Sequence, residues 1–158
     1  MIVLWIFLGV WLALPVGSWV YILILKLAGD IEFVRWEYWW ASRWSLISQH
    51  SWYAKKWARW KGVGLWLAMI INDRDLIGSR LATCIRHEGR HSYIWFFLGG
   101  WGYVAYVAHS VFIFFFRPDQ HTHIHNWFEI DARKFAGQRV EIPRSQWKDG
   151  PDDRVPWF

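Results

Sequence analysis

The stretch "TCIRHEGRHSYIWFFLGGWGYVAYVAHSVFIFFF", residues 83–116, admits two folds, and the choice between them governs the rest of the chain. Taken as one object, 92–116 is an apolar run long enough to cross a bilayer, for which about 20 residues suffice. Taken as two, it is a helix over 80–98 and another over 101–116, divided at Gly99-Gly100, because glycine is a poor helix former and a natural stop. At 1.5 Å per residue the two arms measure about 28 and 24 Å. Arms so nearly equal, folded back on each other, return the chain to its starting level. A straight span carries it to the opposite side of a membrane instead.

What decides between them is chemistry at the two ends. His87-Glu88-Gly89-Arg90-His91 sets two histidines four residues apart, one turn above each other on the same helix face. That spacing lets both imidazoles reach one zinc ion at about 2.0–2.1 Å. Glu88, one residue round, can reach a water on that ion and act as general base, and zinc brings the pKa of such a water to about 7. The extended pattern HExxHxxGxxH requires Gly at 94 and His at 97. The chain has Ile94 and Phe97, so that class is excluded.

Downstream stands "NWFEIDARKFAG", residues 126–137. Its Glu129-Ile130-Asp131-Ala132 resembles the helix that supplies the carboxylate ligand in gluzincin metallopeptidases, above all in the heat-shock membrane proteases and the CAAX-prenyl endopeptidases. The resemblance covers roughly 63–137 and extends to small phage or bacterial HExxH membrane proteins. It implies His87, His91 and Glu129 as zinc ligands and Glu88 as base, with Asp131 and Arg133 orienting the ligands. The chain departs from those families in carrying Arg133 where they commonly have Asp. A shared metal also requires His87 and Glu129 on one side of the membrane. The folded hairpin satisfies that requirement and the straight span does not.

Other residues near these motifs carry alternatives. His121, His123 and His125 alternate, so in a strand all three project from one side; His125 is the alternative third ligand, the other reading being a polar loop. His109, inside the second apolar arm, is expected to form a structural hydrogen bond. Cys84 lies one turn before His87 and is expected to pack. Tyr103 and Tyr106 could each supply an oxyanion donor.

Composition sets the surroundings. Of 158 residues 54% are hydrophobic and 20% charged, with 16 tryptophans and a net charge of +5. Soluble domains carry about a quarter charged residues, and Trp favours membrane–water interfaces. One cysteine excludes an intramolecular disulfide framework and a multi-cysteine zinc knuckle. Residues 2–29 hold a single charge, Lys26, and read as a transmembrane helix even with a kink at Pro15. With no basic region ahead of it, the segment reads as an anchor and not as a cleaved signal. Residues 30–61 carry six basic against three acidic side chains, which places the body on the cytoplasmic side of an inner membrane.

Phe33, Trp36, Trp40, Trp44 and Ile47 recur at three- and four-residue intervals, so 31–61 reads as an amphipathic helix. Its end, "YAKKWARWK", suits a lipid surface or a core helix. No nucleic-acid module frames it, so no nucleic-acid partner is expected. Residues 63–71 read as a short strand, Gly78-Ser79 as a helix cap, 117–125 as a loop, and 126–136 as a helix stopped by Gly137. Residues 138–158, with three prolines, read as an extended tail.

The expected fold is mainly α. A transmembrane anchor (1–29) precedes a small zincin-like domain (30–137) with a hydrophobic helical hairpin and at most a short β element. The expected function is a membrane-anchored zinc metallopeptidase acting on a peptide or membrane-protein substrate. The alternative is a non-enzymatic membrane scaffold or assembly protein, homo-oligomeric or part of a larger assembly, with a structural or vestigial metal site.

Overall fold

The computed structural model describes residues 2–48, 61–72 and 76–142. Helix α1 (Ile2–Leu27) is followed by strands β1 (Ile31–Tyr38), β2 (Ala41–Leu46), β3 (Gly62–Leu65) and β4 (Ala68–Ile71). Helices α2 (Gly78–Leu98), α3 (Gly100–Phe116) and α4 (Trp127–Ala136) complete the order.

The strands form one sheet in the order β1-β2-β4-β3, with β2 and β4 parallel and the two outer pairs antiparallel. Helices predominate, as expected, but a four-stranded sheet exceeds the short β element that the sequence suggested. It lies between α1 and α2, and β4 shows why. Because successive side chains in a strand point to opposite faces, Ala68 and Ile70 join Ile22 and Leu25 of α1 in one core. Met69 and Ile71 join Cys84 and Ile85 of α2 in the other. A strand buried on both faces reads as an unbroken apolar run without alternation, as 68–71 does.

The amphipathic helix expected from residue 31 is overturned: 31–46 is the β1–β2 hairpin. Two register irregularities, between Phe33 and Arg35 and between Trp36 and Tyr38, interrupt the pairing. Each extra residue shifts the phase of a period-two pattern, and the shifted pattern imitates helical spacing. The three tryptophans do not share a face. Trp36 is 56% exposed and Trp44 8%, while Trp40 stacks on Tyr38 at 4.9 Å. The stretch 63–71 is also two strands, β3 and β4, joined by a tight turn at Trp66-Leu67. The basic, Trp-rich stretch 53–60 and the tail beyond 142 lie outside the described residues.

The break at Gly99-Gly100 is present, but its geometry differs from a closed hairpin. The axes of α2 and α3 turn through 116°, and the chain completes its return through the 117–126 turns. Ile77, with no side-chain bond, occupies the N-cap of α2 in place of Gly78-Ser79. The elbow is clamped by α1: Trp11 Nε1 donates to Phe97 O (3.2 Å) and Trp101 Nε1 to Phe7 O (3.0 Å). A Cβ on Gly100 would collide with the main-chain oxygen of Val10. Gly100→Ala therefore must push α1 off the elbow, at a cost of about 1–3 kcal/mol for overpacking. That corresponds to a fall in thermal midpoint of about 2–4 °C per kcal/mol for a chain this size. Gly9→Ala is the control, since nothing lies within 4 Å of its Cβ. Equal midpoints for Gly100→Ala and the parent in detergent would contradict this packing.

Helix α1 runs unbroken through Pro15 and is the one described helix that alone is long and apolar enough to cross a membrane. Its residues 2–9 are exposed all round, and from Pro15 to Leu25 it presents a buried stripe to the sheet.

Candidate metal centre

Three elements converge behind the elbow. Helix α2 contributes His87, Glu88 and His91, all buried along the face that meets β3 and α4. Helix α4 contributes Glu129 from its first turn. Asn126 caps that helix: its Oδ1 accepts from Phe128 N (3.1 Å), and its Nδ2 donates to Tyr106 O (3.0 Å) and Ser110 Oγ (2.7 Å). The cap side chain thereby ties the start of α4 to α3 and aims Glu129 at the α2 histidines. Such caps contribute about 1 kcal/mol.

The donor atoms face one another. His87 Nε2 and His91 Nε2 are 3.2 Å apart. His87 Nε2 lies 3.3 Å from Glu129 Oε2, and His91 Nε2 3.4 Å from Glu129 Oε1. In a tetrahedral site with bonds of about 2.0–2.1 Å, neighbouring donors are separated by about 3.3–3.4 Å. The triangle therefore has the edge length that a single small divalent ion imposes. His87 Nδ1 makes a 2.8 Å hydrogen bond with the amide oxygen of Gln138. A ring proton placed on Nδ1, toward that oxygen, would leave the Nε2 lone pair available to a metal ion. Burial alone would raise the Glu129 pKa, but His91, His123 and His87 around it hold the carboxyl well below the usual range. Two imidazole nitrogens and a carboxylate converging in a buried space are a donor set that suits a cation. The buried His87, His91 and Glu129 group could hold a metal ion.

Glu88 stands beside this triangle, 7% exposed. Burial pushes its pKa up to about 7, and the Glu129 charge adds to that rise. His87 and the Gly64 N–H, which hydrogen-bonds the carboxylate, oppose it. The sheet register explains why Gly64 is available. Asn72 N donates to Lys61 O (2.9 Å), and hydrogen-bonded pairs alternate along an antiparallel ladder. The Gly64 peptide thus points away from β4 toward α2, and Trp95 Nε1 donates to its oxygen (3.1 Å). A Cβ at Gly64 would stand 2.6 Å from both Glu88 O and His91 Cβ. The strand can approach α2 this closely only as glycine.

The other candidates take distinct places. Asp131 touches no ligand; it pairs with Arg90 (2.6 Å) and so ties α4 to α2. Arg133 is buried and donates to the main-chain oxygens of Val140 (3.4 Å) and Ile124. His125 is not among the converging donors, since its Nδ1 accepts from His121 N (2.9 Å) within the loop. Nor is that loop a strand: 122–125 are turns. The loop histidine nearest the site is His123, with Nδ1 3.6 Å from Glu129 Oε1 and 2.9 Å from the Tyr106 hydroxyl. That hydroxyl donates to Glu129 Oε1 (3.1 Å), whereas Tyr103 is exposed. His109 Nδ1 accepts from Trp127 N (3.1 Å), and Cys84 is buried one turn before His87.

Sequence reasoning missed Gln138, Trp95 and Gly64. For Gly64 there was a signal, because glycine inside a strand marks close approach of another backbone. For Gln138 there was none. Comparison with protein-family models, curated proteins and solved structures finds no match to this chain.

Proposed function

We propose that the protein is a zinc-dependent peptide-bond hydrolase of the gluzincin type, anchored in a membrane by α1 and acting on substrates near the membrane surface. The observation that supports this most is the His87–His91–Glu129 triangle, with edges of 3.2–3.4 Å. Two imidazoles and one carboxylate suit zinc, and three protein ligands leave the fourth position that catalytic zinc sites keep open. A zinc ion held there would supply Lewis acidity, polarising the scissile carbonyl and acidifying a water.

The chain's own residues account for the proton transfers. Glu88 makes no bond to the metal in this reading; its carboxylate takes a proton from the attacking water and later delivers it to the leaving amine. The Gly64 N–H fixes where the carboxylate points. Tyr106 and His123, which both contact Glu129 Oε1, are in this reading the donors offered to a developing oxyanion. The excess of Lys and Arg after α1 favours the cytoplasmic side for the body.

The test uses the full chain purified in detergent. Elemental analysis should find about one zinc per chain, as three protein ligands at one site imply, together with chelator-sensitive cleavage of a broad peptide library. Protein without zinc counts against the whole reading. Zinc-loaded protein that cleaves nothing points to the scaffold alternative.

A further inference from the structure

Helix α4 ends at Gly137, whose φ of 73° lies in the left-handed region that favours glycine. The reversal is locked by Gln138 N donating to Arg133 O (2.8 Å). It turns the chain back toward α2, where Gln138 Oε1 meets His87 Nδ1 at 2.8 Å. Arg133 holds the same segment from beneath through the main-chain oxygen of Val140, and the histidine loop through that of Ile124. His91 has no equivalent: its Nδ1 is buried without a hydrogen-bond partner, and its ring is set by stacking on Trp95 at 6.1 Å. Asp131, the other carboxylate on α4, is engaged with Arg90.

From this arrangement we infer that Gln138 is the positioning residue of the metal centre, and that the segment following α4 is a latch coupled to metal occupancy. The inference rests on the metal reading above. A neutral amide oxygen accepting from Nδ1 keeps the ring proton off Nε2 and fixes the ring plane, so that His87 offers its lone pair toward His91 and Glu129. Metal-ligating histidines usually give this proton to a carboxylate, a main-chain carbonyl or water, and losing such a partner costs about 10–100-fold in metal affinity. Here a glutamine does that work from outside the helix that carries Glu129. Coupling is reciprocal: if Gln138 holds His87 for the metal, the metal holds Gln138, and with it residues 138–142.

The experiment measures zinc affinity of the full chain in detergent by competition with a chromophoric chelator. Gln138→Leu should bind zinc about 10–100-fold more weakly than the parent. Gln138→Glu keeps an acceptor at the same reach and should stay within a few-fold of the parent. Cobalt-loaded Gln138→Leu should also show an altered visible spectrum, which a change in general stability would not produce. In the parent, removing zinc should raise amide exchange at 138–142, and in Gln138→Leu it should change exchange there little. The inference is overturned if Gln138→Leu matches the parent in zinc affinity and cobalt spectrum. It is also overturned if Gln138→Glu falls as far as Gln138→Leu. A parent that binds no zinc removes the metal reading itself, a result distinct from either.

Discussion

Glu88→Gln should lose about 10²–10⁴-fold in peptide hydrolysis, the range that a positioned general base typically contributes, while retaining its zinc. The two effects separate because Glu88 is beside the donor triangle and is not one of its corners. Glutamine matches the carboxylate in volume, and its amide oxygen can still accept the Gly64 N–H. Only the basic oxygen disappears. The pH profile provides an independent check. In the absence of metal, burial pushes the Glu88 pKa up to about 7. A cation held by the neighbouring donors would favour the carboxylate and draw that value down. Activity of the parent should therefore fall with an acid limb below pH 7, as the base becomes protonated. In Glu88→Gln the residual activity should lack that limb. Undiminished hydrolysis in Glu88→Gln would remove Glu88 from the mechanism, and loss of zinc would make it a ligand.

The parts of the molecule that could be read from sequence are those set by local geometry. A four-residue spacing on a helix fixes two imidazoles relative to each other whatever the rest of the chain does, so His87 and His91 were legible at once. Helix punctuation was legible for the same reason. Gly137 is the left-handed stop of α4 and Gly99-Gly100 the break between α2 and α3. The starts were read less well: Ile77 takes the cap expected at Gly78-Ser79, and Asn126 caps the helix it was expected to begin. The β1–β2 hairpin was not legible, because its register irregularities scramble the one periodicity that announces a strand. The angle of the elbow was not, because it follows from indole–carbonyl bonds between segments about 90 residues apart. The site divides along the same line. Glu129 could be placed by motif, whereas the choice of His123 over His125 as the histidine facing it depends on turns at 122–125. Gln138 depends on a C-cap reversal meeting a helix 51 positions earlier. No short-range pattern encodes either.

Adding zinc to the metal-free parent should raise its thermal midpoint substantially, and the rise should vanish in His91→Ala and in Glu129→Gln. A ligand that binds only the folded state stabilises it by about 4 kcal/mol at a thousandfold excess over Kd. For a chain of this size that is a shift of about 8–16 °C. Each corner of the triangle is needed for it. Without His91, the remaining donors are His87 Nε2 and one carboxylate, 3.3 Å apart, which define an edge and no longer a face. Glu129→Gln keeps the shape of the site but exchanges its one anionic ligand for a neutral amide, which weakens the charge compensation of a buried dication. Cys84→Ser should retain the full shift, since that thiol is buried beside the site yet is not one of the converging donors. A shift of parental size in both His91→Ala and Glu129→Gln would place the bound metal elsewhere. Loss of the shift in Cys84→Ser as well would show that folding had been tested in place of ligation. With the shift confined to the parent and Cys84→Ser, the three side chains act as one ligand set. Helices α2 and α4, joined by the Arg90–Asp131 pair, would then be locked together at the ion as well.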